Sequence, residues 1–575
     1  MKIEYIERSL SGSSFHKNRV LDGIYRRRGI TSYEEIEYPL SKLLPPNFMG
    51  IDDAVALLFD SIKKQERIMV VADYDCDGAT SCAVAVDGLR MLGFKDVRFI
   101  VPDRFKMGYG ISQKVVDVIE PHEPDLIVTV DNGISAFEGC EAVRNLKHPT
   151  RLLITDHHIG NNEVPWANAI VNPNQVGCPF ESKALAGCGV IFYVLMAFKR
   201  VLLNNDWFNN QGIPEPDLRY LLDIVALGTV ADVVPLDMNN RILVWHGINR
   251  INKGITRPGI RALSDTCKVN IEELNSTDFG FALGPRINSA GRLDDMSIGI
   301  ECLLSKSYEK SMEYAQELEA LNIQRKNLTA EISSEVNLQL DMPQDNDRFG
   351  LCVFGENFNE GVIGIVASRL KEQYHRPVIV FTKDEGGLYK GSGRSVPEVH
   401  LRDVLINVDR VTDHKILKKF GGHAMAAGMS LDPEFFEEFQ NAFDLEVRKL
   451  LPGIKPVIET DGFISSSDLN MDTAKLIDSS GPWGQHFPKP MFVGDFRIVT
   501  RKVLKGKHLK FTIAPLNESR EIQAICFNCL DNNDVLYPEG TVIRCVYEMS
   551  INTFRGISSL QLMIRHFTAL SEIII

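Results

Sequence analysis

The apolar run Ile68-Met69-Val70-Val71-Ala72 leads without a break into three carboxylates at alternate positions, Asp73, Asp75 and Asp77, closed by Gly78. A short unbroken run of this kind marks a strand buried on both faces, and such strands belong to parallel sheets covered by helices. In an open α/β sheet, ligands gather beyond the carboxyl ends of the strands. The three acids therefore stand where a reactive site is expected.

The pattern returns along the chain. Residues 126–130 form a second buried-type strand ending in Asp131-Asn132-Gly133, and residues 152–155 a third ending in Asp156-His157-His158. A fourth apolar run, 221–230, is interrupted only by Asp223, Gly228 and Thr229 and leads to Asp232. Helical spacing over 51–65, 81–92 and 112–119, with a strand over 97–101, completes the βαβ rhythm of a doubly wound parallel sheet. An aspartate after a strand is often just a helix N-cap. Four such ends converging are different, because neighbouring carboxylates repel unless a cation neutralises them. Carboxylates and imidazoles without cysteine suit Mn²⁺ or Mg²⁺ better than Zn²⁺. Arg104 follows the 97–101 strand towards the same edge, as either a surface charge or a phosphate clamp.

At 575 residues the chain is too long for one core and divides into several domains. Its net charge of −13 argues against a nucleic-acid partner only at first sight, since a binding channel needs local positive charge. Eleven cysteines show no disulfide framework, and the first residues lack a signal-peptide core, so a cytoplasmic protein is expected. The most apolar stretch, 184–198, is shorter than the roughly 20 residues that span a bilayer and reads as a core helix.

Residues 1–48 read as an N-terminal extension whose Arg26-Arg27-Arg28 run forms a solvated face. The stretch 279–292, containing Gly284-Pro285-Arg286-Ile287-Asn288, reads as a loop able to contact phosphate through its two arginines, Arg286 and Arg292. Residues 308–340 carry no Gly or Pro and keep apolar residues at helical spacing, which predicts one long connecting helix within a helical connector, 256–341. A domain boundary is expected at 342–347 and a linker at 451–456. Between them, strands over 351–354, 378–381 and 387–396 accompany Ser392, Arg394 and His423 among small residues that let a backbone approach phosphate. From 453 onward, about five short strands and the basic run Arg501, Lys502, Lys505, Lys507, His508 and Lys510 suit an OB-type barrel.

The sets Asp75-x-Asp77-Gly78, Asp131-Asn132-Gly133, Asp156-His157-His158 and Asp232 are similar in order and spacing to the four motifs of the DHH phosphoesterase superfamily. Gly421-Gly422-His423-Ala424-Met425-Ala426-Ala427-Gly428 resembles the signature of the accompanying DHHA1 domain. With the tail, nearly the whole chain resembles the RecJ family of single-strand-specific 5′ to 3′ DNA exonucleases. The resemblance implies a DHH catalytic domain over 49–255, a DHHA1 substrate-binding domain over 342–452 and an OB-like nucleic-acid-binding domain over 453–575. It implies two divalent cations, one held by Asp73, Asp75 and Asp131, the other by Asp77, Asp131, His157 and Asp232, with Asp131 bridging. Some relatives carry a histidine where this chain has Val71, which leaves the first ligand set smaller. Asp75, Asp131 and His158 become catalytic, with His158 donating to developing charge. Arg104, Arg286, Ser392, Arg394 and His423 become substrate contacts in a cleft between the two domains. Release of 5′-mononucleotides from single-stranded DNA, monomeric state, and action beside a single-strand binding protein and a helicase in recombination and repair are further expectations. The alternatives are a nano-oligonucleotide phosphodiesterase of the same superfamily and a catalytically silent replication scaffold.

Overall fold

The computed structural model describes residues 4–340, 348–412, 415–451, 457–516, 518–530, 536–554 and 557–572. The expected boundary at 342–347 and most of the expected linker lie outside these residues. The chain divides into two compact units, one of residues 7–321 with 460–575, the other of residues 322–459 with the chain start up to Ile6.

In the smaller unit, β1 (Glu4–Glu7) pairs with a strand much later in the chain. The larger unit is built on β2 (Ile68–Ala72), β3 (Val97–Ile100), β4 (Leu126–Val130), β5 (Arg151–Thr155) and β6 (Ala169–Val171). They form a sheet of order β3-β2-β4-β5-β6, parallel throughout, in which β2 and β4 are buried along their whole length. The register aligns Ala72 with Val130 and Val130 with Thr155. Asp73, Asp131 and Asp156, each one residue further on, therefore leave the sheet at one edge.

The apolar run before Asp232 is the helix Leu222–Ala231, not a fourth strand. Its first eight residues are all buried, and a helix buried all round shows no 3.6-residue period to separate it from a strand. The stretch expected as a loop around Arg286 is also helical. A π-turn over Phe279–Leu283 continues into the helix Gly284–Leu293, with Pro285, which has no N–H to donate, in the first turn. The helix Gly187–Asn204 is long and apolar enough to cross a membrane, but 67% of it is buried here, as expected of a core helix. The arginine run is not a solvated face: Arg28 donates to Asp461 and to the Pro488 carbonyl, Arg26 to Asp22 and the Gly12 carbonyl, and Arg27 pairs with Glu7. It fastens the N-terminal extension to the chain that enters the last domain.

In the smaller unit, β7 (Leu351–Phe354), β8 (Val378–Lys383), β9 (Tyr389–Arg394), β10 (Leu417–Gly422) and β11 (Ala426–Leu431) make a mixed sheet of order β10-β11-β9-β8-β7, and β12 (Val457–Thr460) pairs with β1. The uninterrupted helix Tyr308–Leu340 has the predicted bounds and runs from the larger unit's sequence into the smaller one's.

The chain then returns to the larger unit. There β13 (Phe492–Leu504), β14 (His508–Pro515), β15 (Ile522–Cys526), β16 (Val542–Phe554) and β17 (Ile557–Ala569) close into a barrel of order β13-β14-β15-β17-β16. The segment leading to the barrel packs on the first part of the unit: Leu236 N–H donates to Gln485 O (2.8 Å), Ser276 Oγ to Trp483 O (2.6 Å), and Arg241 stacks over Phe487 at 4.3 Å.

Candidate metal centre

Each acid reaches the sheet edge by its own local device. Asp75 caps the helix Cys76–Leu92, its Oδ1 accepting from Gly78 N–H at 2.9 Å. Asp77, the second residue of that helix, receives Gly187 N–H on Oδ2 (2.6 Å) and Cys188 N–H on Oδ1 (3.1 Å). These amides open the buried core helix, so its positive end faces the carboxylate. Only glycine fits between this helix start and Asp131, because a side-chain carbon at Gly187 would lie 2.6 Å from Asp131 Cβ. Asp131 itself turns off β4 at φ +61°, a left-handed conformation that aspartate tolerates, and its N–H bonds Thr155 O across the sheet.

The result is a compact cluster. Ligand atoms of Asp73, Asp75 and Asp131 lie within 4.8 Å of one another, as do those of Asp77, His157 and Asp232, and those of Asp131, His157 and His158. His157 Nε2 stands 3.1 Å from Asp131 Oδ1, 3.5 Å from Asp232 Oδ2 and 3.9 Å from Asp77 Oδ2. Asp73 Oδ1 is buried without a hydrogen-bond partner, and His157 Nε2 and Asp131 Oδ1, though 3.1 Å apart, are not aligned as a hydrogen bond and have no other. Buried polar atoms left this way carry a penalty of about 1–3 kcal/mol each, more when charged.

The electrostatics carry the same signature. Burial and then mutual repulsion push the carboxyls of Asp73, Asp131 and Asp232 well above the ordinary range, and raise Asp75 too. Burial, then neighbouring His158, lowers His157 and so keeps its imidazole neutral and able to donate a lone pair. Divalent cations reverse this logic, since their charge stabilises every carboxylate around them. The neighbouring thiols of Cys76 and Cys188 are driven well above their usual range by burial and by the acids, so they stay protonated. The available donors are oxygen and imidazole nitrogen, which fit Mn²⁺ or Mg²⁺.

Asp156 was not expected to do separate work. Its Oδ2 accepts from Ile134 N–H, and its Oδ1 from the N–H groups of His157 and His158 and from the His158 ring at 2.8 Å. Burial opposes its ionisation, yet the His158 bond prevails and holds it below the usual range. Burial likewise opposes a charged His158, but the Asp156 bond and the surrounding acids hold it up at about 9. Asp156 thus fixes both histidines, and leaves His158 with Nδ1 engaged and Nε2 free of that bond.

Further residues join from elsewhere in the chain. Asn132 ties β2 to β4 by donating to Val71 O and Val130 O, while its Oδ1 accepts from Ile111 N–H. Asn288 Oδ1 accepts the Cys76 N–H beside Asp75, and a side-chain carbon at Gly291 would fall 1.8 Å from Tyr74 O, so the helix Gly284–Leu293 seats directly on the first acidic turn. The Tyr109 hydroxyl donates to Asp131 O at 3.2 Å and faces the His158 ring. Arg104 lies 4.9 Å over the ring of Tyr74, next to Asp73 and Asp75. Asn288 stood in the Gly-Pro-Arg-Ile-Asn motif, and Tyr109 between two glycines. Neither pattern names its partner.

Arg286 is not presented by a loop. It is buried, donates Nη1 to Ala282 O at 2.8 Å and pairs Nε with Glu319 at 2.6 Å. In the smaller unit, Arg394 ends β9 and donates to Ser392 Oγ (3.2 Å) and Gly393 O. Pairing of Arg394 with Ala426 brings the β10–β11 turn, with exposed His423, to the same end of that sheet.

The DHH family N-terminal domain matches residues 67–229, the DHHA1 domain 346–449, and the RecJ OB domain 460–566. The single-stranded-DNA-specific exonuclease RecJ of Salmonella typhimurium is 42% identical over 553 residues, covering 95% of each chain. Among solved structures, RecJ in complex with Mn²⁺ from Thermus thermophilus shares the fold at a TM-score of 0.78, covering 98% of this chain and 79% of that one at 24% identity. An exonuclease RecJ bound to manganese is 30% identical, with a TM-score of 0.59, over 72% of this chain and 97% of that one. With three domain matches in sequence order and a relative of this identity over nearly its full length, the chain belongs to the RecJ family of DHH phosphoesterases.

Proposed function

We propose that this chain is a metal-dependent exonuclease that degrades single-stranded DNA from its 5′ end and releases 5′-mononucleotides. The observation that carries this reading is the set of three ligand groups linked through Asp131 and His157, with buried polar atoms that no hydrogen bond satisfies. One cation is assigned to Asp73, Asp75 and Asp131, the other to Asp77, Asp131, His157 and Asp232. When bound, two such cations supply Lewis acidity and neutralise charge on the attacking and leaving oxygens of an in-line displacement at phosphorus.

The protein's own groups do the rest. Asp131 belongs to both ligand sets. His158, fixed at Nδ1 by Asp156, donates from Nε2 to a phosphoryl oxygen as charge develops there. Arg104, kept beside the acids by Tyr74, holds a phosphate of the strand, and Ser392, Arg394 and His423 provide further phosphate contacts. Arg286 is assigned a supporting role, since Ala282 and Glu319 occupy its guanidinium. The barrel holds the rest of the strand, as OB folds do. A monomer acting in the cytoplasm, beside a single-strand binding protein and a helicase in recombination and repair, completes the proposal.

The test uses Mn²⁺ with single strands labelled at either end, a dinucleotide and pyrophosphate. The expected result is early loss of 5′ label from single strands, abolished by chelator and restored by Mn²⁺. First loss of a 3′ label would reverse the polarity, and turnover of only the dinucleotide or pyrophosphate would replace the substrate.

A further inference from the structure

Just past the last acid of the centre, the backbone takes two uncommon conformations. Val233, immediately after Asp232, has φ +60°, a region that a β-branched residue rarely enters, and its side chain is 62% exposed. In the turn Phe279–Leu283, Gly284 N–H bonds Phe279 O, the i to i+5 step of a π-turn. Phe281 on this turn is 83% exposed, while Phe279 and Leu283 are fully buried. Such turns, like other backbone outliers, gather at functional sites.

The two features are neighbours. A side-chain carbon at Gly284 would come within 3.2 Å of Ala231 Cβ, and one at Gly280 within 3.8 Å of Val230 Cγ1, so the turn lies on the residues that lead into Asp232. Arg286 fastens it, bonding Ala282 O beside Phe281 and pairing with Glu319. The phenyl ring is thus held outward by a braced turn. A single strand offers phosphates, sugars and base faces, and only an unpaired base presents a flat apolar face to such a ring.

We infer that Phe281, on the turn that packs against Val230 and Ala231, is a stacking platform for an unpaired nucleobase on the Asp232 side of the metal centre. This rests on the reading of the chain as a single-strand nuclease and adds a contact that every base can make, whatever the sequence. Bases in a duplex already stack on their neighbours, so the platform favours unpaired strands.

The experiment is a binding cycle in chelator, without hydrolysis. Phe281→Ala should weaken binding of oligothymidylate roughly 5- to 150-fold, the range of one lost base stack, and that loss should vanish on an oligonucleotide abasic throughout. Phe281→Trp should bind like the parent and lose emission with oligothymidylate, but not with the abasic strand or a blunt duplex, after subtraction of the four native tryptophans. Equal losses on normal and abasic strands, or equal quenching by duplex, would overturn the platform. Because no turnover is read, a chain that passes this test yet releases no nucleotide would refute the nuclease reading alone.

Discussion

The acidic edge of the parallel sheet and the basic hairpin of the barrel hold charge in opposite settings. At the edge, Asp73, Asp77 and Asp131 are buried and repel one another, and several acceptors among them and their neighbours go unsatisfied. On the hairpin, Lys502, Lys505, Lys507 and Lys510 are all exposed, and Phe527 stands half exposed beside His508 at 5.4 Å. Burial makes like charge expensive, so the edge requires a counter-ion and reveals its chemistry locally. Solvated lysines cost almost nothing to place. What they bind emerges only from their sum, as a field acting on a polyanion.

The contrast breaks most sharply at Asp131. Asp131→Asn keeps the size and the left-handed backbone but removes a charge shared by both ligand sets, so turnover should fall by at least about a thousandfold. Without metal the variant should melt no lower than the parent, since a repulsion is gone. Calorimetry should also show that Mn²⁺, which stabilises the parent by ~2.7 kcal/mol at a hundred times its Kd, no longer stabilises the variant. A parent-like Mn²⁺ response would remove Asp131 from the ligand set.

A smaller effect is expected one layer out. Asp156→Asn weakens the bond that orients His158, and outer partners of this kind are worth about 10- to 100-fold in activity or metal affinity. The loss should appear in kcat, with KM for the strand nearly constant. A change confined to KM would assign Asp156 to substrate binding instead.

The smallest change per residue belongs to the hairpin. Replacing Lys502, Lys505, Lys507 and Lys510 by Ala together should flatten the plot of log affinity against log salt by about 0.7 for each phosphate no longer neutralised. An unchanged slope would take the hairpin out of the strand's path. Deleting the barrel is a poorer test, because the segment before it packs on Leu236, Arg241 and Ser276 of the catalytic half.

How far the chain could be read from sequence follows the same division. β2, β4 and β5 announced themselves because little besides a sheet edge sets acids directly after a buried apolar run, and the register then brought their ends together. Asp232 was placed with the right partners but on the wrong element, since the helix before it is apolar on every side. Arg286 was read as free to meet phosphate, because sequence shows a charge and not the Glu319 that pairs with it. The arginines at 26–28 failed for the same reason, since their partners are invisible in the sequence and that of Arg28, Asp461, lies more than four hundred positions away. Asp156 and Tyr109 act through hydrogen bonds whose geometry no spacing rule encodes.

The return of the chain to the larger unit after residue 459 has a consequence for biosynthesis. All the proposed ligands are translated by Asp232, yet the unit containing them closes only once β17 has left the ribosome. At 5–20 residues per second that interval is roughly 17–70 s. Through it the nascent catalytic half lacks the segment that covers Leu236 and Ser276, and a message cut short after the smaller unit would yield a ligand set on an incomplete body. Newly made chains should therefore depend on chaperones in proportion to the delay, and slowing translation over 322–459 should raise aggregation more than the same pause placed after β17.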